Sequence, residues 1–237
     1  MPSTFQKINT ELKQKANPEK AAFFPRFFKT GKGEYGEGDS FLGVTVPDQR
    51  TISKHYFKEA DTDTIAKLIN SKWHEERLTG LFILTLKYKS DKKTGNQQQW
   101  VDLYLSNLNG VNNWDLVDSS APVILGDWLE NRDRSILYEF ANADDLWKNR
   151  MSIIACLHFI KKNDLKDLFK ITSLLLKHKH DLIHKAIGWM LREAWKRDPE
   201  AVEKFMEKNL KQLPRTALRY AIEKMSPEER QAWLRAG

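Results

Sequence analysis

The sequence predicts an all-α protein, one domain over residues 1–237, whose stacked helix pairs form an α-α superhelix with a basic concave face. Three observations predict it. Helix start signals recur along the chain, segments that alternate apolar with polar residues are few, and marked residues return at a nearly constant spacing. Only 11 Gly and 8 Pro stand among 237 residues, too few for the many tight turns of a barrel or sandwich. A hydrophobic content of 41% with 30% charged residues supports a packed core rather than disorder.

The elements follow in order. Asn17-Pro18-Glu19-Lys20 supplies an N-cap, a proline at the first helical position and an acid in the first turn. Phe23, Phe24, Phe27 and Phe28 continue at helical spacing. Gly31, Gly33, Gly36 and Gly38 then break the helix into a loop over 30–39. Pro47-Asp48 opens a helix to about residue 60, Asp61 to Thr64 restarts another, and Ser71 precedes a third that ends near Ser90. After a polar loop holding Gly95, helices are expected near 97–108, 113–119, 121–130, 132–142, 144–161, 164–177, 180–197, 199–209, 214–224 and 227–235. Asp198-Pro199-Glu200 and Ser226-Pro227-Glu228 repeat the first start signal. Arg77, Asp115, Arg150, Lys185 and Arg219 serve as register marks. Their period of about 35–40 residues, two helices each, is that of a HEAT-like solenoid, with an ordinary helical bundle as the alternative.

Charge and composition bound the function. The net charge is +7, and the whole excess lies beyond residue 160. A solubilising surface accounts for it, and so does a polyanionic partner, nucleic acid first. The single cysteine, Cys156, excludes an intramolecular disulfide framework and a zinc site made of cysteines. It suits a reducing, cytoplasmic setting. No apolar run approaches the ~18 residues of a membrane span, and the polar N-terminus holds no signal-peptide core. His180 and His184 stand at i and i+4, but no motif places a third ligand, so no metal is expected. No phosphate loop, dinucleotide fingerprint or serine elbow is present, so no cofactor is expected either. A monomer is the default.

Three segments can carry chemistry. Trp114 and Asp118 are i and i+4 on a helix and share a face. Core packing with a surface acid explains them, and so does an indole beside a carboxylate that stabilises a developing cation or orients water. Asp115 points elsewhere, toward the helix N-terminus. Arg150 lies in an apolar helix, so it is paired with an acid or aimed at a bound anion, for which its planar fork is suited. Lys185, Trp189 and Arg192 put aromatic and basic groups on one helix face, as nucleic-acid surfaces do, although Trp189 also reads as core.

Together these residues resemble a known family. Trp114-Asp115-Leu116-Val117-Asp118-Ser119, Leu125-Gly126-Asp127, Trp147 through Arg150, and Lys185 through Glu193 are similar, in that order, to the AlkD family of DNA alkylation-repair glycosylases. Asn17 to Ala21, and Gly43-Val44 with Pro47 and Arg50, extend the likeness over nearly the whole chain. The resemblance implies a HEAT-like enzyme that excises cationic alkylated purines, such as 3-methyladenine and 7-methylguanine, from double-stranded DNA. It implies Asp118 as the main catalytic residue, Trp114 and Trp189 as walls for the sugar and backbone, and Arg150 on the damaged strand. Phe27, Arg50, Lys185 and Arg192 complete the DNA-binding set. It further implies that the damaged base needs no tight pocket, unlike in most glycosylases. A nucleic-acid-binding HEAT module without catalysis is the alternative. Three departures stand out: Phe27 where the family has a tyrosine, His158 where it has a lysine, and a longer glycine-rich loop.

Overall fold

A computed structural model describes residues 1–236, and among them the chain is all α, with fourteen α-helices and no strand. The one β-type contact is an isolated parallel bridge between Ser40 and Trp73. The chain divides into two compact units, Met1–Ser120 and Ala121–Gly237.

The N-terminal unit begins with a helix that the sequence reading did not anticipate. Helix α1 spans Thr4–Gln14 and opens on a capping box, in which the Ser3 hydroxyl accepts from the Gln6 N–H while the Gln6 side chain accepts from the Ser3 N–H. Ile8 and Leu12, one turn apart, are its buried residues. Helix α2 (Pro18–Phe27) starts where Asn17 predicts, with the Asn17 side chain accepting from Lys20 N–H. The glycine-rich loop follows. A short extended segment then leads to α3 (Val46–Tyr56), capped by Thr45, and to α4 (Thr62–Ile69), capped by Asp61. Helix α5 (His74–Ser90) is the central element, buried along most of its length, and it packs against α3 and α4. Helix α6 (Gln98–Ser106) and a 3-10 turn at Leu108–Gly110 precede α7 (Trp114–Ala121).

Gly43 is a position that requires glycine. Its φ is +82°, and a Cβ there would sit 2.0 Å from the Asn17 carbonyl oxygen. This close approach lets the extended segment lie against the start of α2, where Asn17 N–H donates to the Leu42 carbonyl. The segment's own N–H groups turn to the Glu75 carboxylate, which accepts from Leu42 at 3.0 Å, Gly43 at 2.7 Å and Val44 at 3.2 Å. A carboxylate buried at the first turn of α5 thus satisfies three donors that have no strand partner.

In the C-terminal unit, the helix expected over 121–130 is present as far as residue 128, and its Pro122–Gly126 stretch is π-helical rather than α-helical. Pro122 has no N–H to give to the carbonyl four residues back, so regular α pairing fails there. Helices α8 (Ser135–Ala141), α9 (Leu146–Ile160), α10 (Lys166–Leu175), α11 (Asp181–Trp195), α12 (Pro199–Asn209), α13 (Arg215–Ala221) and α14 (Pro227–Ala236) follow. Each lies within a few residues of its expected range. Asp145 caps α9 and Asp198 caps α12. Helix α11 packs on α9 and on α13. Gly188 makes the latter contact possible, since a Cβ there would meet the Ala217 carbonyl at 2.4 Å. The five register marks fall on α5, α7, α9, α11 and α13, every second helix.

Candidate functional site

In the N-terminal unit, α7 carries Trp114 and Asp118 one turn apart, and both are half-buried. Trp114 is held by phenylalanines from α2 and the residue after it. Its ring stacks on Phe28 at 5.6 Å and meets Phe27 edge-on at 5.8 Å. Phe27 itself is half-exposed, so the predicted Phe27 and Trp114 do come together, as a partly open aromatic corner. Phe28 also stacks on Phe41 at 5.2 Å. Arg50 lies over the Phe82 ring at 4.2 Å, a cation–π contact that keeps an otherwise exposed guanidinium in place.

Behind this corner is a buried charge network that the sequence reading missed. His74 Nδ1 bonds Asp39 at 2.9 Å, and Nε2 bonds Asp115 at 2.8 Å. Arg77 bonds the second oxygen of Asp39 and the Ser71 carbonyl. The Asp115 carboxylate therefore reaches across to α5, besides accepting the Leu116 N–H of its own first turn. Burial pushes the His74 imidazole down, but the two carboxylates outweigh it and raise the group to about 9. His74 is thus an imidazolium at neutral pH. Burial likewise raises Asp39, and the bonds to His74 and Arg77 outweigh it and hold that carboxyl below its usual value. The network fixes the first turn of α7, and with it the helix that presents Trp114 and Asp118. The glycine-rich loop contributes to it, since Asp39 is the residue that ends that loop.

An apolar cavity of about 280 Å³ opens beside this corner. Phe24, Phe28, Phe41, Leu78 and Trp114 are among its walls, and Gln49, Glu75 and Asp115 supply polar atoms.

The remaining predicted residues lie in the C-terminal unit. Arg150 on α9 is 5% exposed, and one guanidinium N–H donates to the Leu182 carbonyl at 2.6 Å. Leu182 belongs to the first turn of α11, so Arg150 ties α9 to α11. Trp189 is half-buried on α11. Lys185 is paired with Asp181 at 2.8 Å along the same helix. Arg192 bonds Glu223 beyond α13 and lies 3.5 Å from Glu193. Both cations thus already hold acidic partners, which the sequence reading did not foresee.

The histidine pair has local duties. His180 Nδ1 accepts from Leu182 N–H as the N-cap of α11, and His184 Nε2 bonds the His178 carbonyl at 2.5 Å. A different trio stands close elsewhere: Asp127, Glu130 and His158 place their side-chain ligand atoms within 4.8 Å of one another. His158 bonds Glu130 at 2.9 Å, and Lys162 lies 3.4 Å from the same carboxylate. His158 therefore sits beside the Lys162–Glu130 ion pair, bonded to the same carboxylate. Among the described residues, no helix is long and apolar enough to cross a membrane.

No curated protein matches the chain. A solved structure described as a predicted DNA alkylation repair enzyme from Enterococcus faecalis has a similar fold, with a TM-score of 0.72 at 21% identity. The match covers 90% of this chain and 98% of that one. The model of the family described as DNA alkylation repair enzyme matches residues 8–225. The chain belongs to the DNA alkylation repair enzyme family.

Proposed function

We propose that the protein is a DNA glycosylase of base excision repair that hydrolyses the N-glycosidic bond of cationic alkylated purines in duplex DNA. The observation that carries this reading is the half-buried Asp118 carboxylate one turn from the Trp114 indole, on a helix anchored through Asp115. Membership of the family points to damaged DNA as the substrate.

The chemistry needs little more. A 3- or 7-alkylated purine carries positive charge and departs as a neutral base, so protonation of the leaving group is dispensable. Positive charge then develops on the sugar. One carboxylate stabilises that charge and positions the attacking water, and an indole face adds a favourable contact to a cation. This is why a carboxylate pair of the glycoside-hydrolase kind is not required. Asp118 takes the catalytic role and Trp114 the role of a wall. Trp189 takes the second wall role, and Arg150, with Phe27, Arg50, Lys185 and Arg192, supports the DNA. The remaining expectations belong to the same proposal: a monomeric, cytoplasmic, HEAT-like protein acting as one domain, with a basic concave face and no need for the damaged base to enter a tight pocket.

The test is release of 7-methylguanine from methylated duplex DNA. Wild-type protein is expected to release it. Asp118→Asn is expected to lose about two to four orders of magnitude in rate while DNA binding persists. Wild-type protein that binds duplex DNA but releases no alkylated base would overturn the reading in favour of a binding module.

A further inference from the structure

The C-terminal unit brings Asp127, Glu130 and His158 together, and its backbone is shaped to do so. A Cβ at Gly126 would meet the Ala155 carbonyl oxygen at 2.5 Å and His158 Cβ at 2.7 Å. Glycine therefore lets the end of the π-helical stretch lie against the last turn of α9, which carries His158. The Glu130 N–H donates to the Asp127 carbonyl at 3.3 Å, a turn of i to i+3 pitch that stacks the two acidic side chains on one face. Arg134 holds the end of this turn. It donates to the Leu129 carbonyl at 3.1 Å and the Glu130 carbonyl at 2.8 Å, and is itself fixed by Asp164 and Asp167. The backbone that presents both carboxylates is thus held in place before anything binds.

The side chains meet the demands of a cation. His158 Nε2 lies 2.9 Å from Glu130 and Nδ1 lies 3.9 Å from Asp127, and one ligand atom from each residue falls within 4.8 Å of the others. An ion bonded to each at about 2.0–2.2 Å needs those atoms about 3.5 Å apart, which side-chain shifts of about an ångström supply. His158 is 17% exposed, Asp127 18% and Glu130 29%. They are sheltered, yet open enough to admit an ion. Lys162 stands 3.4 Å from the Glu130 oxygen that His158 does not bond, and it is 58% exposed. That distance is beyond an ordinary hydrogen bond, so the ammonium is loosely held and can swing away. His180 and His184 lack this construction, since one caps α11 and the other bonds a backbone carbonyl.

We propose that Asp127, Glu130 and His158 form a binding site for one divalent transition-metal ion of the Zn²⁺ class, with Lys162 as the group the ion displaces. One imidazole nitrogen and two carboxylate oxygens make a mixed donor set. The nitrogen favours transition ions over Mg²⁺ and Ca²⁺, which take oxygen ligands. Three protein ligands leave a further position to water, the arrangement of an open site rather than a closed structural one. None of the three is among the residues proposed for base excision, so the site stands whether or not that reading does.

The test is calorimetric titration of the chelator-treated full chain with Zn²⁺ and with Mg²⁺. Saturable binding of one Zn²⁺ per chain is expected, with Mg²⁺ at least about tenfold weaker. His158→Ala and Glu130→Gln should each weaken Zn²⁺ at least about tenfold, since loss even of an outer-shell partner costs about 10–100-fold. Lys162→Met should tighten Zn²⁺ about two- to fivefold, as removal of an exposed competing charge implies. A cluster that serves only as an ion pair gives no such gain. His180→Asn, which keeps a cap for α11, should leave the affinity unchanged. Where His158→Ala does not fold, the unaltered protein decides: paramagnetic Co²⁺, which takes the same ligands, should displace the NMR signals of the His158 ring and leave those of His180 and His184 in place. No saturable Zn²⁺ binding, equal Zn²⁺ binding by Glu130→Gln, or Co²⁺ shifts confined to His178, His180 and His184 overturns the proposal.

Discussion

The two compact units pair carboxylates with different cations. In the N-terminal unit, Asp39 and Asp115 converge on His74, and Arg77 backs Asp39. In the C-terminal unit, Asp164 and Asp167 converge on Arg134, at 2.7 and 2.5 Å, and the Tyr138 hydroxyl donates to Asp167. Both arrangements cross-link helix starts and loops far apart in sequence. They differ in the cation. A guanidinium stays charged at any pH the protein meets, whereas an imidazolium can be discharged. The N-terminal network is also the drier one, with His74 at 2% and Asp39 at 5% side-chain exposure against 18% for Arg134 and 39% for Asp164. The unit that presents Trp114 and Asp118 is therefore built on the more fragile of the two links.

The sharpest way to break the comparison is His74→Ala. It leaves Asp39 with the Arg77 bond and a long bond from the Asn113 amide, and strips Asp115 of its bond to α5, in a buried site. Removing one member of a buried charged set costs about 3–5 kcal/mol. Denaturant unfolding of the variant should show that loss, and amide exchange should locate it in α5 and α7. A cost under about 1 kcal/mol would mean that the network carries no load.

Raising the pH should reproduce part of this without mutation. His74 has a folded value of about 9 against about 6.5 for an unfolded histidine. Its folded value is raised, so its contribution is complete below about pH 6.5 and is lost as pH climbs through 9. The loss amounts to at most ~3 kcal/mol. Amide protection in α5 and α7 should fall over that window, while α8 and α10, linked through Arg134, should hold theirs. His74→Ala should abolish the difference. A parallel decline in both units would remove His74 as its cause.

Arg134→Met comes next. Its aliphatic stem and its place over the Phe159 ring, 3.8 Å away, are largely kept by methionine. Asp167 loses its cation but keeps the Tyr138 hydroxyl, and Asp164 is exposed enough to be solvated. A cost of about 1–3 kcal/mol follows, independent of pH between 6.5 and 9.

The sequence announces local features and conceals distant ones. Asn17, Asp61 and Asp198 are legible as caps because the groups they bond lie three residues away. Trp114 and Asp118 are legible as a pair because helical spacing puts them on one face. The capping box at Ser3 and Gln6 was equally local, and the polar, charged run around it hid the helix. The π turn at Pro122 was hidden by apolar residues that suit a regular helix equally well. His74 could not be read, because its partners stand 35 and 41 residues away and nothing in the intervening chain marks them. Arg150 shows a further limit. An acid and an anion were the partners that its charge suggested, yet one of its N–H groups goes to a backbone carbonyl, which every residue carries. The family itself was legible through the ordered set from Trp114 to Glu193, a signal of identity rather than of geometry.

Tyr138→Phe is the smallest break and tests how far the C-terminal network tolerates loss. The Tyr138 hydroxyl donates to one oxygen of Asp167, while Arg134 holds the other. Burial raises the phenol, and its bond to Asp167 raises it further, well above its ordinary value. It therefore remains a donor throughout the range in which His74 discharges. Phenylalanine keeps the ring packing and removes a single donor from a carboxylate that retains its cation, so the cost should be about 1 kcal/mol. In combination with Arg134→Met the cost should exceed the sum, because Asp167 would then be left with neither partner. A double-mutant cycle that closes without any coupling would show that Tyr138 and Arg134 support Asp167 independently, and the contrast with the tightly coupled histidine network would then be larger than the geometry implies.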